Sequence, residues 1–388
     1  MTTPDRSRQP VSIIGASAAG LFTAYLLARR GVAVRVHEQA ERLSPMRRTL
    51  IVTNRLRDLL GEVGDGCVVN EVRRFELFTD GRSAIIPLAK PDLIIERSRL
   101  ISDLAKHAQA QGAEIHLGRR FVGLAPNGRG LAVMLGRAGQ TESVHAETVI
   151  GADGAISRVA QAAGWSRRPT VPLVQAIVKL PSDVPPDSVR VWFVPGDTPY
   201  FYWLIPDSPT HGALGLIGED GRETRRSLEA FLAKRGFAAE SFQGARIPLY
   251  TRWEPVMRHV GSGRVFLVGD AAGQVKVTTV GGIVTGFRGA AGVAEAITNG
   301  GASRELAALR RELNLHLHIR RSMHRFTQTD YSRLIDLLNA PSRASLSMHD
   351  RDAALGIVWR LLVQQPRFVL MAIRGFLTGG AYLRQSSR

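Results

Sequence analysis

The chain has 388 residues, of which 44% are hydrophobic, and this is enough for a large core and for about two lobes. Its 51 basic and 34 acidic residues give a net charge of +17, which fits an anionic partner. No recognition-helix, RNP-like or zinc-finger pattern accompanies that charge, so nucleic acid is not predicted as a partner. The single cysteine, Cys67, excludes an intramolecular disulfide and a cysteine metal cage, and redox chemistry would therefore need a cofactor.

The first elements along the chain are a short β-branched strand, a turn of small residues, an apolar helix that stops at Gly31, and a second strand that ends at Glu38. This order is the opening of a Rossmann-type βαβ unit. Later segments predict a hairpin that turns at Asp80-Gly81, a helix from Ile94 that Gly112 caps, and several antiparallel strands before a mostly helical part. The predicted domains are a discontinuous nucleotide-binding domain (8–64, 93–164 and 255–300), an antiparallel-sheet substrate domain (65–92 and 165–254) and a helical region (301–388).

The turn after the first strand reads IIGASAAG, close to the dinucleotide fingerprint, with Ser17 in place of the second glycine. Gly15 permits the tight turn, Ser17 and Ala19 are small enough for backbone to approach a pyrophosphate, and Gly20 allows close packing. The following helix offers its positive end to phosphates. Glu38 is placed to accept hydrogen bonds from an adenosine ribose. An ordinary strand-to-helix turn is the alternative.

Two later segments resemble further signatures of one large family. They read GADGAISRV (151–159) and VFLVGDAAGQVKVTTVGGIVTGFRGA (265–290). With the first loop they resemble the FAD-dependent para-hydroxybenzoate hydroxylase-like superfamily, which includes monooxygenases, flavin-dependent halogenases and geranylgeranyl reductases. The resemblance implies an α/β fold: a Rossmann-like FAD-binding lobe of a GR2-type flavoprotein, an inserted antiparallel β-sheet and a helical C-terminal part.

The resemblance also implies positions around FAD. Asp270, after Gly269, would bind the ribityl or ribose region, and Asp153-Gly154 would lie near the pyrophosphate. Arg97 would lie near the phosphates or the ribityl chain. Arg48 has the same implied place, with a solvated surface arginine as the alternative, and Val122 would lie by the adenine or in the core.

The third signature carries the expected chemistry. Backbone N–H groups at Gly281, Gly282 and Ile283, with a helix start, would face the N1–C2=O edge of the flavin and stabilise negative charge there. The segment VKVTTVGGI is similar to the VKPTTGGGI form of geranylgeranyl reductases, with Val277 and Val280 as departures.

The strand PYFYWLIP resembles the aromatic strand of the prenyl reductases and also a halogenase pattern. Strand alternation puts Phe201, Trp203 and Ile205 on one face, and with Phe193 they form the predicted substrate surface. The alternative is that these rings are core.

The lead function is therefore reduction of a C=C bond in a prenyl-type or other lipophilic substrate by hydride from reduced flavin N5. The runner-up is a monooxygenase that hydroxylates or epoxidises an aromatic substrate through a C4a-hydroperoxide, and a redox carrier is a third possibility. Beside the flavin itself, Tyr202 and Lys276 are the candidate catalytic residues: the Tyr202 hydroxyl or a bound water could be the general acid, and a surface lysine is the alternative at 276. No metal is expected, since His316, His318 and His324 lack ligand spacing.

NAD(P)H would bind transiently, and a ferredoxin-type donor is equally open; the basic charge suits an acidic redox partner or a protein-bound substrate. The polar N-terminal residues 1–10 predict a cytoplasmic protein. The stretch from Ala353 to Leu383 is apolar but interrupted by arginines and by Pro366. It predicts either helices packed on the core or peripheral contact with an anionic membrane.

Overall fold

The computed structural model describes residues 9–43 and 48–348. The strands are β1 (Val11–Ile14), β2 (Val34–His37), β3 (Thr49–Val52), β4 (Val68–Thr79), β5 (Arg82–Glu96), β6 (Glu114–His116), β7 (Arg120–Asn127), β8 (Gly130–Arg137), β9 (Gln140–Ala146), β10 (Thr148–Gly151), β11 (Thr170–Lys179), β12 (Ser188–Trp192), β13 (Tyr202–Pro206), β14 (His211–Ile217), β15 (Ala239–Pro248), β16 (Met257–Val260) and β17 (Gly263–Leu267). The helices are α1 (Ala18–Ala28), α2 (Arg55–Leu60), α3 (Arg97–Ala110), α4 (Arg158–Ala162), α5 (Gly221–Arg235), α6 (Ile283–Thr298), α7 (Arg304–Met323), α8 (Gln328–Leu337) and α9 (Ala340–Met348), with 3-10 turns at Gly61–Cys67 and Gly269–Ala272.

A six-stranded sheet in the order β16-β17-β10-β1-β2-β6 forms the nucleotide-binding half. All of its pairs are parallel except the edge pair β16–β17. The central strands β1 and β10 are fully buried, as expected for a parallel sheet that is covered on both faces. The predicted strand, turn, helix and strand at the start of the chain are confirmed, and β1 ends where the glycine loop begins.

An eight-stranded sheet in the order β15-β11-β14-β13-β12-β4-β5-β3 forms the second half. The hairpin predicted at Asp80-Gly81 is confirmed, because Thr79 pairs with Arg82 across the turn. One face of this sheet packs on α5, and the other packs on the loop before α6 and on α7 and α8. The sheet therefore faces the loop before α6, and this places the strands of the sheet beside the expected cofactor site.

Two details differ from the predicted boundaries. The pairing of β3 with the end of β5 puts 49–52 and 93–96 in the eight-stranded sheet, whereas both were expected in the nucleotide-binding domain. Helix α3 begins at Arg97 rather than at Ile94, because the Glu96 carboxylate accepts hydrogen bonds from the N–H groups of Ser98 and Arg99 and caps the helix there. The division into domains remains a proposal.

The small sheet β7-β8-β9 was not predicted, nor was α5. Alternate residues of β8, including Leu131 and Val133, are buried in the core of the six-stranded sheet. The helices α7 to α9 agree with the helical character expected after residue 300. No helix in the described part of the chain is both long and apolar enough to cross a membrane, and the stretch from Ala353 to Leu383 lies outside the described residues.

Candidate cofactor and substrate site

The loop after β1 has the geometry of a dinucleotide loop. Gly15 adopts φ +103°, and a Cβ there would lie 2.5 Å from the Ala152 carbonyl oxygen. A Cβ on Gly20 would lie 2.4 Å from the Gly15 carbonyl oxygen. Ser17 is the N-cap of α1, and its Oγ accepts a hydrogen bond from the Gly20 N–H at 3.2 Å. The serine in place of glycine therefore organises the helix start, and this role needs a short polar side chain.

Glu38 lines a cavity beside the glycine loop, which forms the outer end of the candidate cofactor cleft. Its carboxylate accepts hydrogen bonds from the backbone N–H of Ala16 at 2.8 Å and of Ala40 at 2.9 Å, so it lies against the glycine loop. His37 lines the same cavity of about 560 Å³. Burial and the nearby His116 lower the pKa of His37 to about 4, so its ring is neutral near pH 7.

Asp153 and Gly154 also line this cavity. The Asp153 carboxylate accepts hydrogen bonds from Ser157 Oγ at 2.5 Å and from the Arg158 N–H at 2.7 Å, so it fastens the start of α4. Gly154 has φ +85° and open space beside its Cα. This glycine therefore leaves backbone accessible at the middle of the cleft, where a pyrophosphate would lie.

Val122 is not among the residues that line the cleft. Its side chain is 47% exposed, which contradicts the core alternative, and the neighbouring Phe121 lines the cleft instead. The register of β7 against β8 shifts between Phe121 and Gly123, so Val122 lies at a β-bulge and its side chain turns outward.

Arg48, Arg97 and Asp270 come together in the middle of the cleft. Asp270 is partly buried, and desolvation raises the pKa of its carboxyl, while the two guanidinium groups oppose that rise. Burial and the neighbouring Arg97 lower the pKa of Arg48, whose Nε is buried without a hydrogen-bond partner among the described residues. The surface-arginine alternative for Arg48 is therefore wrong, and an orphaned buried donor beside the cleft fits an absent anionic or oxygen-rich ligand.

The third signature places a helix start at the inner end of the cleft. Gly269 adopts φ +61°, and its N–H donates to Gln274 Oε1 at 2.7 Å, which fixes the turn that carries Asp270. Gly282 is the N-cap of α6, which begins at Ile283 and receives no side-chain cap. Its first N–H groups are therefore free to face a bound group, and the positive helix end favours negative charge there.

Lys276 lies on the same loop and lines this inner part of the cleft, a cavity of about 290 Å³. Lys276 is only 7% exposed, so the surface-lysine alternative is wrong. The Lys276 N–H donates to the Gly281 carbonyl at 3.1 Å and closes the loop 276–281. The outer and inner cavities share Ser17, Arg97, Ala152 and Gly154, so they form one continuous cleft.

An apolar cavity of about 270 Å³ adjoins the inner end of the cleft. Phe201, Trp203 and Ile205 line it, as the strand alternation predicted. Phe193 lies behind them, in contact with Phe201 and stacked on Tyr331 with ring centroids 4.4 Å apart. None of the described residues that line this cavity has a titratable side chain.

Tyr202 lies on the opposite face of β13. It is fully buried against Phe231 of α5, and its hydroxyl donates to Asp197 at 2.9 Å. It lines neither the cleft nor the apolar cavity, so the structure does not support it as the acid. Cys67 is likewise buried in the nucleotide-binding half, where burial raises the pKa of its thiol to about 12.

These residues fit FAD. The cleft offers backbone where a pyrophosphate needs close approach, the start of α1 near it, a carboxylate at the ribose end and the start of α6 at the ring end. The Arg48 Nε provides a buried donor that has no hydrogen-bond partner among the described residues. FAD would therefore lie along the cleft with its ring beside the apolar cavity.

Sequence reasoning missed several lining residues. In the apolar cavity these are Phe75, Leu77, Ile86 and Leu88 of the first hairpin, and Leu50 and Ile51 of β3. In the cleft they include His37, Arg119, Phe121 and Arg246. Alternation in the hairpin strands was the available signal for the first group.

The comparisons with known proteins agree with this geometry. A family model described as the FAD binding domain matches residues 8–307. The chain is 28% identical over 311 residues to a 6-methylpretetramide 4-monooxygenase of Streptomyces rimosus, which covers 74% of this chain but only 55% of that protein. It is 28% identical over 335 residues to a chloroplastic geranylgeranyl diphosphate reductase of Oryza sativa, with 77% and 68% covered.

Among solved structures, a geranylgeranyl bacteriochlorophyll reductase-like protein from Thermoplasma acidophilum superposes with a TM-score of 0.78. The match covers 94% of this chain and 98% of that one, at 17% sequence identity. The likeness shows the expected fold: a Rossmann-like FAD-binding lobe joined to an antiparallel sheet and C-terminal helices.

Proposed function

The chain belongs to the FAD binding domain family and is an FAD-dependent oxidoreductase of the para-hydroxybenzoate hydroxylase-like superfamily, and from that premise we propose that it reduces a C=C bond in a prenyl-type or other lipophilic substrate. The observation that carries the proposal is the apolar cavity at the ring end of the cleft, whose described lining is without titratable groups. An uncharged hydrocarbon segment suits such a lining, whereas a group that must be deprotonated there finds no base.

Bound FAD, once reduced, supplies a hydride from N5. The start of α6 would favour negative charge at the N1–C2=O edge of the bound ring, and Asp270 with the two arginines would hold the middle of the cofactor. The apolar wall formed by Phe201, Trp203 and Ile205 excludes water and orients the double bond. Lys276 lines the adjoining inner cleft rather than the apolar cavity, and it would donate the proton to the carbon that the hydride does not reach, so that one hydride and one proton would saturate the bond.

The reducing equivalents come from NAD(P)H that binds transiently or from a small acidic electron-transfer protein. The net charge of +17 supports the second source, because opposite charges accelerate such encounters. A protein-bound substrate fits the same charge.

A monooxygenase that acts on an aromatic substrate is the second candidate. The 28% identity to the Streptomyces rimosus monooxygenase favours it, and a flat ring system fits an aromatic-lined cavity as well as a prenyl chain does.

The test is an anaerobic single turnover of the FAD-loaded protein after photoreduction, followed by its flavin absorbance. Mixing with geranylgeranyl diphosphate should restore the oxidised flavin spectrum without oxygen. If the flavin stays reduced until air enters and then oxidises with hydroxylation of an added polycyclic phenol, the monooxygenase is the correct function.

A further inference from the structure

The loop between the cleft and the apolar cavity contains a backbone outlier. Val280 adopts φ +52°, in the left-handed region that L residues avoid and that a β-branched side chain makes especially costly. The other non-glycine residue with positive φ in the described part of the chain is Ala138, in the exposed turn between β8 and β9. Val280 is followed by Gly281 and Gly282, either of which would adopt positive φ at lower cost.

Contacts on several sides hold this loop in place. The Lys276 N–H donates to the Gly281 carbonyl at 3.1 Å. Thr278 Oγ1 and His316 Nδ1 of α7 lie 2.7 Å apart in a hydrogen bond, and His316 Nε2 lies 3.2 Å from Glu312 Oε1. Strained backbone persists only where its surroundings fix it, and such strain concentrates at functional sites.

The strained backbone places the Val280 side chain on the wall between the two cavities. Val280 is 7% exposed and lines both the inner cleft and the apolar cavity. The two cavities share six lining residues, so they meet at this wall: Leu50, Ile51, Leu173, Thr279, Val280 and Gly281. A glycine at 280 would remove the strain, but it would also remove the branched side chain from the wall.

We propose that Val280 is a specificity-determining residue whose side chain sets the width of the opening between the apolar cavity and the flavin ring. The opening admits a thin or flat segment, such as an extended prenyl chain or an aromatic edge, and rejects a bulky cage of equal carbon count. The inference rests on the proposed function only in taking the apolar cavity as the substrate site.

Ligand binding to the oxidised, FAD-loaded protein tests the opening without turnover. Geraniol and 1-adamantanol are matched probes, because each is an alcohol with the same number of carbons, one a chain and the other a cage. Each is titrated while the flavin absorption spectrum is followed. Wild type should bind geraniol about 10-fold or more tightly than 1-adamantanol, and V280A and V280G should reduce that ratio about 10-fold.

An unchanged ratio in both variants overturns the proposal, and so does a flavin spectrum that neither alcohol perturbs in any of the proteins. A failure of the proposed reductase function has a different signature. The tighter binding of geraniol than of 1-adamantanol would then remain in wild type and would decrease in V280A, while anaerobic hydride transfer to a prenyl substrate would be absent.

Thermal unfolding of the same FAD-loaded variants tests the strain. At an ordinary buried position, a protein with alanine is more stable than one with glycine. Val277 is such a position, because it is buried and does not have positive φ. V277A should therefore unfold at a higher temperature than V277G. At 280 the order should reverse, with V280G above V280A. A138G should raise the midpoint and leave the ligand ratio unchanged. V280A above V280G would overturn the role of the strained backbone.

Discussion

The cofactor cleft and the apolar cavity meet at one loop, yet they are built by different means. Backbone and charge form the cleft, through Gly15, the starts of α1 and α6, and the cluster around Asp270. Side chains of strands far apart in sequence form the cavity, and its described lining has no titratable group. The cleft is therefore specified by local motifs for a fixed cofactor, whereas the cavity is specified by the packing of the sheet.

The largest effect should follow from closing the cleft. In G15A the new Cβ would lie 2.5 Å from the Ala152 carbonyl oxygen at φ +103°, so the loop must move away from the pyrophosphate position. The variant should purify without FAD, as measured by its absorbance. G112A is the matched control, because Gly112 has φ +94° with nothing within 4 Å of the added atom. Full FAD content in G15A would contradict the assignment of the loop.

Lys276 should matter for reaction and not for cofactor content. K276M should lower the anaerobic rate of flavin oxidation by a prenyl substrate about 10²–10⁴-fold, because the proton donor is lost. K276R keeps the positive charge but donates a proton poorly, so it should be nearly as slow. An active K276R would assign Lys276 an electrostatic role instead, and wild-type rates in K276M would remove it from the mechanism.

Acidification should destabilise the fold through two histidines, one of them in the cleft. Burial lowers the pKa of His37 and of His324 from 6.5 to about 4. The unfolded chain therefore binds more protons between these values, so stability falls as the pH drops from 6.5 toward 4, by up to roughly 3 kcal/mol for each side chain. H37Q and H324N should each flatten the pH dependence of urea unfolding in that window. An unaltered slope in both variants would contradict the buried neutral rings.

The two faces of β13 should separate cavity effects from stability effects. W203L should weaken binding of a prenyl substrate on the order of tenfold, since the large ring lines the cavity. Y202F alters the opposite face and should leave the reaction rate unchanged, while costing about 1 kcal/mol of stability through the lost hydrogen bond to Asp197. Slow reaction in Y202F with normal W203L kinetics would reverse the assigned faces.

The sequence was sufficient for the cleft where short motifs carry its geometry. Gly15, Gly20 and Glu38 follow from one βαβ pattern, whereas Ser17 was predicted only as a small residue and its role as the cap of α1 comes from the structure. The desolvation of Arg48 and the burial of Lys276 could not be predicted from the sequence, because they depend on how the two halves of the molecule pack.

The cavity was harder to predict. The positions of Phe201, Trp203 and Ile205 follow from period-two alternation, and the same alternation excludes Tyr202 from their face. The outward turn of Val122 depends on a β-bulge, and the left-handed backbone of Val280 depends on contacts with α7. Neither has a local sequence signal.

The most direct test of the proposed reaction is the mass of the product that the FAD-loaded, reduced protein forms from geranylgeranyl diphosphate, compared with and without oxygen. We expect a product that forms without oxygen and gains two hydrogen atoms for each bond reduced; oxygen should only lower its yield, because it consumes the reduced flavin. A product that forms only with oxygen and gains one oxygen atom would contradict this expectation and assign the apolar cavity to a monooxygenase.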